Sequence, residues 1–402
     1  MAAIFCNLSA SRTIAFSLHL VSAQTRCKPR HLSPKHLQYK SISTATPLPH
    51  RRASAQATPP PPLAKAQSRT MATMRAVAFD KTGDSSVLSL REDMPKPTAS
   101  ASQILVKVEW HGINFIDTYM RTGLYQFATP PPHVSGTEGG GIVEAVGAEV
   151  PADYGLEVGD RVAFMKSPSA AEYAAVNPNL CFKLPEGVST KDGAAFLLQG
   201  LTAWTLVRDA HEVKPGEVVL VQAAAGGTGG LVVQMCKHLG ATVIGTVSTD
   251  AKAKLAREHG CDHVVVYTRD DVLKAVNEIT HDLGCHAVFS GVGKATFEQD
   301  LAATRRKGSF ITFGNASGAV EPFSLFKLTA RNVRLMRPTL FNFVATREEW
   351  DARCRELFDL LAKGVVKTHI GGVYDLSEVA KAQDDLTGQK TVGKLLVKVA
   401  KD

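Results

Sequence analysis

The stretch from Val218 to Gly240, VVLVQAAAGGTGGLVVQMCKHLG, limits the choice of fold more than any other part of the chain. Val218 to Val221 is a short β-branched run of the kind buried inside a parallel sheet. Small residues follow, from Ala223 to Gly230. Leu231, Val232, Met235, Cys236 and Leu239 then recur at helical spacing, with Gly240 placed to close the helix. A second apolar run, Ala241 to Val247, comes directly after. The order strand, glycine turn, helix, strand is one βαβ unit. A pyrophosphate needs bare backbone N–H groups at a helix N-terminus, and Gly226, Gly227 and Gly229 let it approach. Because the flanking strand and helix are both present, the turn reads as a dinucleotide site rather than a packing turn.

The alternation continues downstream. Helices are expected over Ala251–His259, Val272–Thr280, Ala295–Thr304, Glu348–Lys363 and Leu376–Asp385. Strands are expected over His263–Tyr267, Ala287–Ser290 and Ser309–Phe313, with Lys394–Val399 returning to the first domain. Upstream, Met74 to Leu184 is β-rich. Arg75–Asp80, Ile104–Trp110, Gly141–Val146, Arg161–Met165, Glu172–Val176 and Leu180–Leu184 read as short strands of a partly closed barrel. Ser189 to Ala210 reads as one helix, capped by Ser189 or Thr190. The fold class is therefore α/β: a doubly wound parallel Rossmann sheet over 198–339, and a β-barrel domain from 74–197 and 340–402.

The net charge of +8 is unevenly placed. Residues 1–70 hold 10 of the 46 Lys and Arg and no acid, so from Met71 on 36 bases face 38 acids, a balance of −2. The basic character belongs to the tail and gives no argument that the folded part binds nucleic acid. That tail is expected to be disordered. It reads as an organelle presequence, as a weak secretory segment around Ile14 to Ala23, or as an over-extended start before Met71 or Met74. Cytoplasmic location goes with the last reading, mitochondrial location with the first. The seven cysteines form no Cys-x-x-Cys pair, which fits reduced thiols rather than a disulfide framework or zinc lobe. No apolar run reaches ~18 residues, so no membrane span is expected.

Several ordered motifs resemble the zinc-free quinone reductases of the medium-chain dehydrogenase/reductase superfamily, the zeta-crystallin-like group. They are Gly112–Tyr119, Gly136-Thr137-Glu138 with Gly139–Gly147, Leu156–Val162, Ala223–Gly229, Phe313–Gly318, Arg337-Pro338 and Lys390–Leu395. The resemblance implies a GroES-like barrel, a homodimer and an NADPH-dependent quinone reduction, with enone reduction as the alternative. It also implies a rival of another class, since some relatives bind AU-rich RNA or serve as lens protein. Zinc alcohol dehydrogenases of the superfamily place Cys and His where this chain has Asn114 and Thr137, so no metal is expected. Departures from the group are Thr228 for Val and Gly230 for a larger apolar residue; both are small, and are expected to spare the phosphate contacts but loosen helix packing.

Aligned on the family pattern, the second strand ends at Val247, where an NAD enzyme carries an acid. Ser248, Thr249 and Lys252 suit a 2′-phosphate instead, and Asp250 is read as the N-cap of the next helix. By resemblance, Thr202, Ala225, Gly226, Gly227 and Lys394 contact the cofactor and Tyr267 lies near the adenine. Ser290, Phe313, Gly314, Asn315 and Arg337 line the nicotinamide side. Asn114, Tyr119 and Tyr125 are the catalytic candidates, with Asp117 and Arg121 near the cleft lip. A tyrosine with a pKa near ~10 is a slow acid at neutral pH, so the tyrosines are given positioning and hydrogen-bonding roles. His111 and His133 read as structural.

Overall fold

The computed structural model describes residues 72–400. The readings of the first 70 residues lie outside them.

The βαβ unit forms as its sequence predicts. Strand Val218–Val221 leads through a turn into helix Gly227–His238 and then strand Thr242–Val247. Gly240, at φ +84°, reverses the chain after the helix. The six parallel strands run, across the sheet, His263–Val266, Thr242–Val247, Val218–Val221, Cys285–Ser290, Thr304–Thr312 and Arg334–Met336. The order reverses between the third and fourth strands, and a doubly wound sheet opens its ligand crevice at such a point. The strand expected at Ser309–Phe313 starts earlier, at Thr304. Its register shifts against the strand Cys285–Ser290, which shortens the preceding helix to Phe297–Ala303.

The β-rich half closes as a mixed sheet ordered Ile370–Asp375, Lys394–Lys398, Ile104–Ile113, Glu138–Val146, Arg161–Met165 and Cys181–Lys183, with Tyr173–Val176 also paired to Ile104–Ile113. Lys394–Lys398 runs antiparallel to Ile104–Ile113, so the C-terminal segment does return to the first half. A smaller sheet joins Ser89–Pro95, Thr73–Phe79 and His133–Val134.

Helix Thr190–Thr205 links the halves. Ser189 and Asp192 form a reciprocal capping box, and five residues of π-type turn, Leu206–Ala210, replace the last stretch of the expected single helix. Its buried Phe196 and Leu197 belong to the same apolar cluster as Phe182 from the barrel wall, Val219 and Val221 from the parallel sheet, and Trp350 and Phe358 from helix Arg347–Ala362. One continuous core thus fixes the barrel floor against the dinucleotide turn.

Candidate functional site

Between the two halves lies a cleft of about 1180 Å³. Of the residues proposed from the sequence for cofactor, catalysis or the cleft lip, all line it except Asp117, Arg121, Thr249, Ser290, Asn315 and Lys394.

The glycine turn forms one wall. Gly226 is the N-cap of the helix and brings no side chain to it. The first-turn N–H groups are left without helical acceptors and face the crevice, the arrangement that binds a phosphate anion. A Cβ on Gly227 would stand 2.2 Å from the Gln199 side-chain carbonyl, and one on Gly229 2.3 Å from the Ala223 carbonyl. Ala223 itself adopts the left-handed region at φ +54°. Gly230 does not loosen the helix as expected: the His259 ring fills its place, 2.5 Å from where a Cβ would sit.

At the far end, Ser248, Lys252, Tyr267 and Thr268 gather around the tip of strand Thr242–Val247. Thr249, not Asp250, caps the following helix by accepting from the Lys252 N–H. Asp250 is instead held by Arg269, 2.9 Å from both carboxylate oxygens, so its charge is met by a neighbouring cation. Arg269 lines the cleft as well and was missed; its only signal was its place two residues after Tyr267.

The floor is built from the barrel. Asn114, at the N-terminus of helix Phe115–Arg121, is buried, and its amide is fully engaged. Its Nδ2 donates to the Gly112 carbonyl at 2.9 Å and to Glu138 Oε2 at 2.8 Å. Its Oδ1 accepts from Lys394 Nζ at 2.9 Å and from Gln199 Nε2 at 3.3 Å. Lys394 is therefore not a cofactor ligand. It is wholly enclosed, its ammonium 2.6 Å from Glu138 Oε2 beneath the floor. Ser290 is buried beside the cleft, its hydroxyl 3.3 Å from that of Thr296, which lines the cleft. Asn315 contributes only its backbone N–H, which donates to the Tyr119 hydroxyl at 3.3 Å. In each case the adjacent glycine, Gly291 or Gly314, faces the crevice in its stead.

Tyr119 and Tyr125 meet edge to face, 5.6 Å between centroids. Burial pushes the Tyr119 phenol above its ordinary value, which makes it a still weaker acid. Phe115, Ile116, Leu340, Phe341 and Phe343 complete an apolar pocket around them. The last three come from a short helix and were not anticipated. Asp117 and Arg121 are not at the lip. Asp117 accepts from the Asn114 N–H and the Thr137 hydroxyl, both at 2.8 Å, and burial raises its carboxyl to about 6. Arg121 is buried against Gln383 at 2.7 Å. His111 holds the Glu138 carbonyl and the Ser169 hydroxyl at 3.1 and 2.9 Å, and burial pushes it down to about 4. His133 stacks on Phe127.

Crevice, glycine turn and barrel floor define a medium-chain dehydrogenase/reductase. Residues 100–214 match the alcohol dehydrogenase GroES-like domain, and residues 227–362 match the family described as zinc-binding dehydrogenase. The chain is 38% identical to a probable quinone oxidoreductase of Schizosaccharomyces pombe, over 80% of this chain and 96% of that protein. It is 40% identical to a mycobacterial protein solved with NADPH, covering 81% of this chain and all of that one at a TM-score of 0.78. It is 35% identical, at a TM-score of 0.77 and the same 81% coverage, to Escherichia coli quinone oxidoreductase, also solved with NADPH. The chain belongs to the quinone oxidoreductase family.

The zinc implied by the broader family's description does not fit here. Among the described residues no three His, Cys, Asp or Glu side chains converge on a metal-sized site. Asn114 and Thr137 supply an amide and a hydroxyl that are already bonded, and the Lys394 ammonium lies against Asn114 and Glu138, where it would repel a second cation.

Proposed function

We propose that this chain is an NADPH-dependent quinone oxidoreductase that works without a metal. The observation that carries the reading is the continuity of one cleft. It runs from a cation-bearing, hydroxyl-bearing end at Lys252 and Ser248, past the bare N–H groups of the glycine turn, to a pocket walled by Tyr119, Tyr125 and Phe341. NADPH supplies the reducing equivalent when bound. The chain's own residues bind and orient: Lys252, Ser248 and Tyr267 at the adenosine end, Ala225, Gly226 and Gly227 at the pyrophosphate, and Thr202, Phe313, Gly314 and Arg337 on the nicotinamide side. Asn114 sets the floor, and Tyr119 and Tyr125 wall the acceptor. With no Lewis acid in the donor set, an acceptor that is already electron-poor suits the pocket, and a quinone is flat enough to lie against aromatic walls. Rate enhancement then comes mainly from holding the two reactants in register.

The division of labour follows 198–339 for cofactor and 74–197 with 340–402 for the acceptor. A homodimer is part of the same proposal. Strand Arg334–Met336 is paired on one side only in the parallel sheet, and Leu325 and Phe326, in the turn that precedes it in the chain, are 73% and 85% exposed. No helix among the described residues is long and apolar enough to cross a membrane, and a cytoplasmic location is proposed with it. The test is NADPH oxidation against ortho-quinones, para-quinones and enones, with NADH in parallel and light scattering for the assembly. Turnover with quinones and NADPH is expected. Turnover confined to enones would transfer the assignment to alkene reduction. Salt-resistant binding of AU-rich RNA with no turnover at all would move it out of the enzymes.

A further inference from the structure

The dinucleotide half contains a carboxylate for which the proposed reaction has no use. Asp300, on helix Phe297–Ala303, is completely buried. Its Oδ1 accepts from Gln222 Nε2 at 2.6 Å and its Oδ2 from the Thr296 hydroxyl at 2.7 Å. Ser290, at the end of strand Cys285–Ser290, adds a second hydroxyl. Burial raises the carboxyl to about 6, and only hydrogen bonds from Thr296, Gln222 and Ser290 oppose it; no cation does. A buried carboxylate with no positive partner is costly to keep. Its hydrogen bonds show what it organises.

An ionised carboxylate can only accept, so Gln222 must turn its NH₂ toward Asp300 and its carbonyl away. That carbonyl receives the Thr246 hydroxyl hydrogen. With its hydrogen so committed, the Thr246 oxygen offers a lone pair to the Ala223 N–H, 3.4 Å away. Each assignment follows from the one before, and all four residues except Ala223 are at least 97% buried. The series ends on the one residue of the turn that is strained, the left-handed alanine. Ala223 in turn accepts from the Gly226 N–H at 2.8 Å, and Gly229 packs directly on its carbonyl. The conformation of Ala223 therefore sets where the helix N-terminus points.

We propose that Asp300 is a positioning residue for the dinucleotide: through Gln222 and Thr246 it holds Ala223 in the left-handed conformation that shapes the phosphate cradle. The proposal rests on the reading of the cleft as an NADPH site.

The experiment measures NADPH affinity by fluorescence quenching, together with KM and kcat, in the full chain and its variants. Asp300→Leu and Thr246→Val break the series and are expected to weaken NADPH about 10-fold. Saturating NADPH should return kcat to within about twofold, because the affected contacts are equal in ground and transition states. Asp300→Asn keeps an oxygen for Gln222 and Thr246→Ser keeps the hydroxyl, so each should stay within about threefold of the parent. In an Ala223→Gly background, where the left-handed turn needs no restraint, Asp300→Leu should cost less than about threefold. Wild-type affinity in Asp300→Leu would overturn the proposal, as would an undiminished effect in the glycine background. If Asp300→Leu does not fold, the Thr246→Val and Thr246→Ser pair in both backgrounds decides the question. A parent that binds no NADPH refutes the cofactor reading, a result visible before any variant is compared.

Discussion

Replacing Lys252 by alanine tests the cofactor assignment at its most specific point. The ammonium lies at the cleft end beside Ser248 and Tyr267, where among the described residues it donates to the Gln389 carbonyl at 3.1 Å. A carbonyl leaves the ammonium free to meet a phosphate with its other hydrogens. A hydrogen bond to a charged group contributes roughly 1.5–3 kcal/mol. The site is exposed and Arg269 stands nearby as a second cation, so the low end applies: about a 10-fold loss in NADPH affinity. Raising the salt from about 0.15 M to about 1 M shortens the screening length from about 8 to about 3 Å and should shrink that loss. NADH, lacking the 2′-phosphate, should be nearly unaffected. At saturating NADPH kcat should hold, because the phosphate is far from the reacting carbon and its binding is uniform along the reaction. KM and kcat for both cofactors, in parent and variant at two salt concentrations, give the answer. An unchanged NADPH to NADH preference would make Lys252 a surface lysine bonded to Gln389 and nothing more. The same assay on Arg269→Ala would then show whether the guanidinium performs the discrimination.

Elemental analysis of purified active protein should find no stoichiometric zinc; one zinc per chain would contradict the donor-set argument at Asn114 and Thr137. Asp117 titrates near 6 in the folded chain against an ordinary value of 3.8, so the folded state holds a proton that the unfolded chain releases. The contribution of Asp117 to stability is then largest at low pH and falls as pH rises from about 4 through 6, while His111, held down at about 4, contributes in the opposite sense. Asp300, also raised to about 6, keeps its own slope in both proteins, so the stability difference between Asp117→Asn and the parent should grow from about pH 4 to 6 and level off above at on the order of 2 kcal/mol. Parallel stability curves for the two proteins would refute it. Gly229→Ala drives a Cβ into the Ala223 carbonyl and should abolish measurable NADPH binding or folding; a variant that binds normally would show that the turn can give way. Cys181, Cys236, Cys261, Cys285 and Cys354 are all buried, and burial pushes their thiols up. In a chain starting at Met71, a thiol reagent should label none of them until denaturant is added, and fast labelling in buffer would contradict the burial.

Much of the fold was legible because local signals and global packing agree. Arg161–Met165 and Val272–Thr280 occur with the boundaries expected from turn signals and periodicity. Ser89–Pro95 carries Arg, Glu and Asp on a mostly exposed edge and has no alternation to detect. Ile370–Asp375 holds two glycines, and its pairing with Lys394–Lys398 supplies a strand character that its own residues lack. The site divides along the same line. Backbone-driven features, the glycine turn and the strand tips, could be read from spacing. The role of Lys394 could not, because a lysine's burial depends on Glu138, 256 positions away. Nor could the apolar wall at Leu340 to Phe343, which reaches the cleft only through tertiary packing.

That separation has a consequence for how the molecule comes into being. Synthesis is vectorial, so the barrel strand Ile104–Ile113 and the Glu138 carboxylate leave the ribosome long before Lys394–Lys398 exists to cover them. Until then the Trp110–Ile113 end of strand Ile104–Ile113 is open on one side, its other end being paired by Tyr173–Val176, and Glu138 lacks its ammonium partner. Gly393, which bridges to Gly226 and donates to the Ala225 carbonyl at 3.3 Å, likewise reaches the dinucleotide turn only at the end. The cofactor helix can form early, but its cradle is completed by some of the last residues made. A chain that stops before Gly393 would lack both the last barrel-edge strand and the Gly393 contact with the dinucleotide turn.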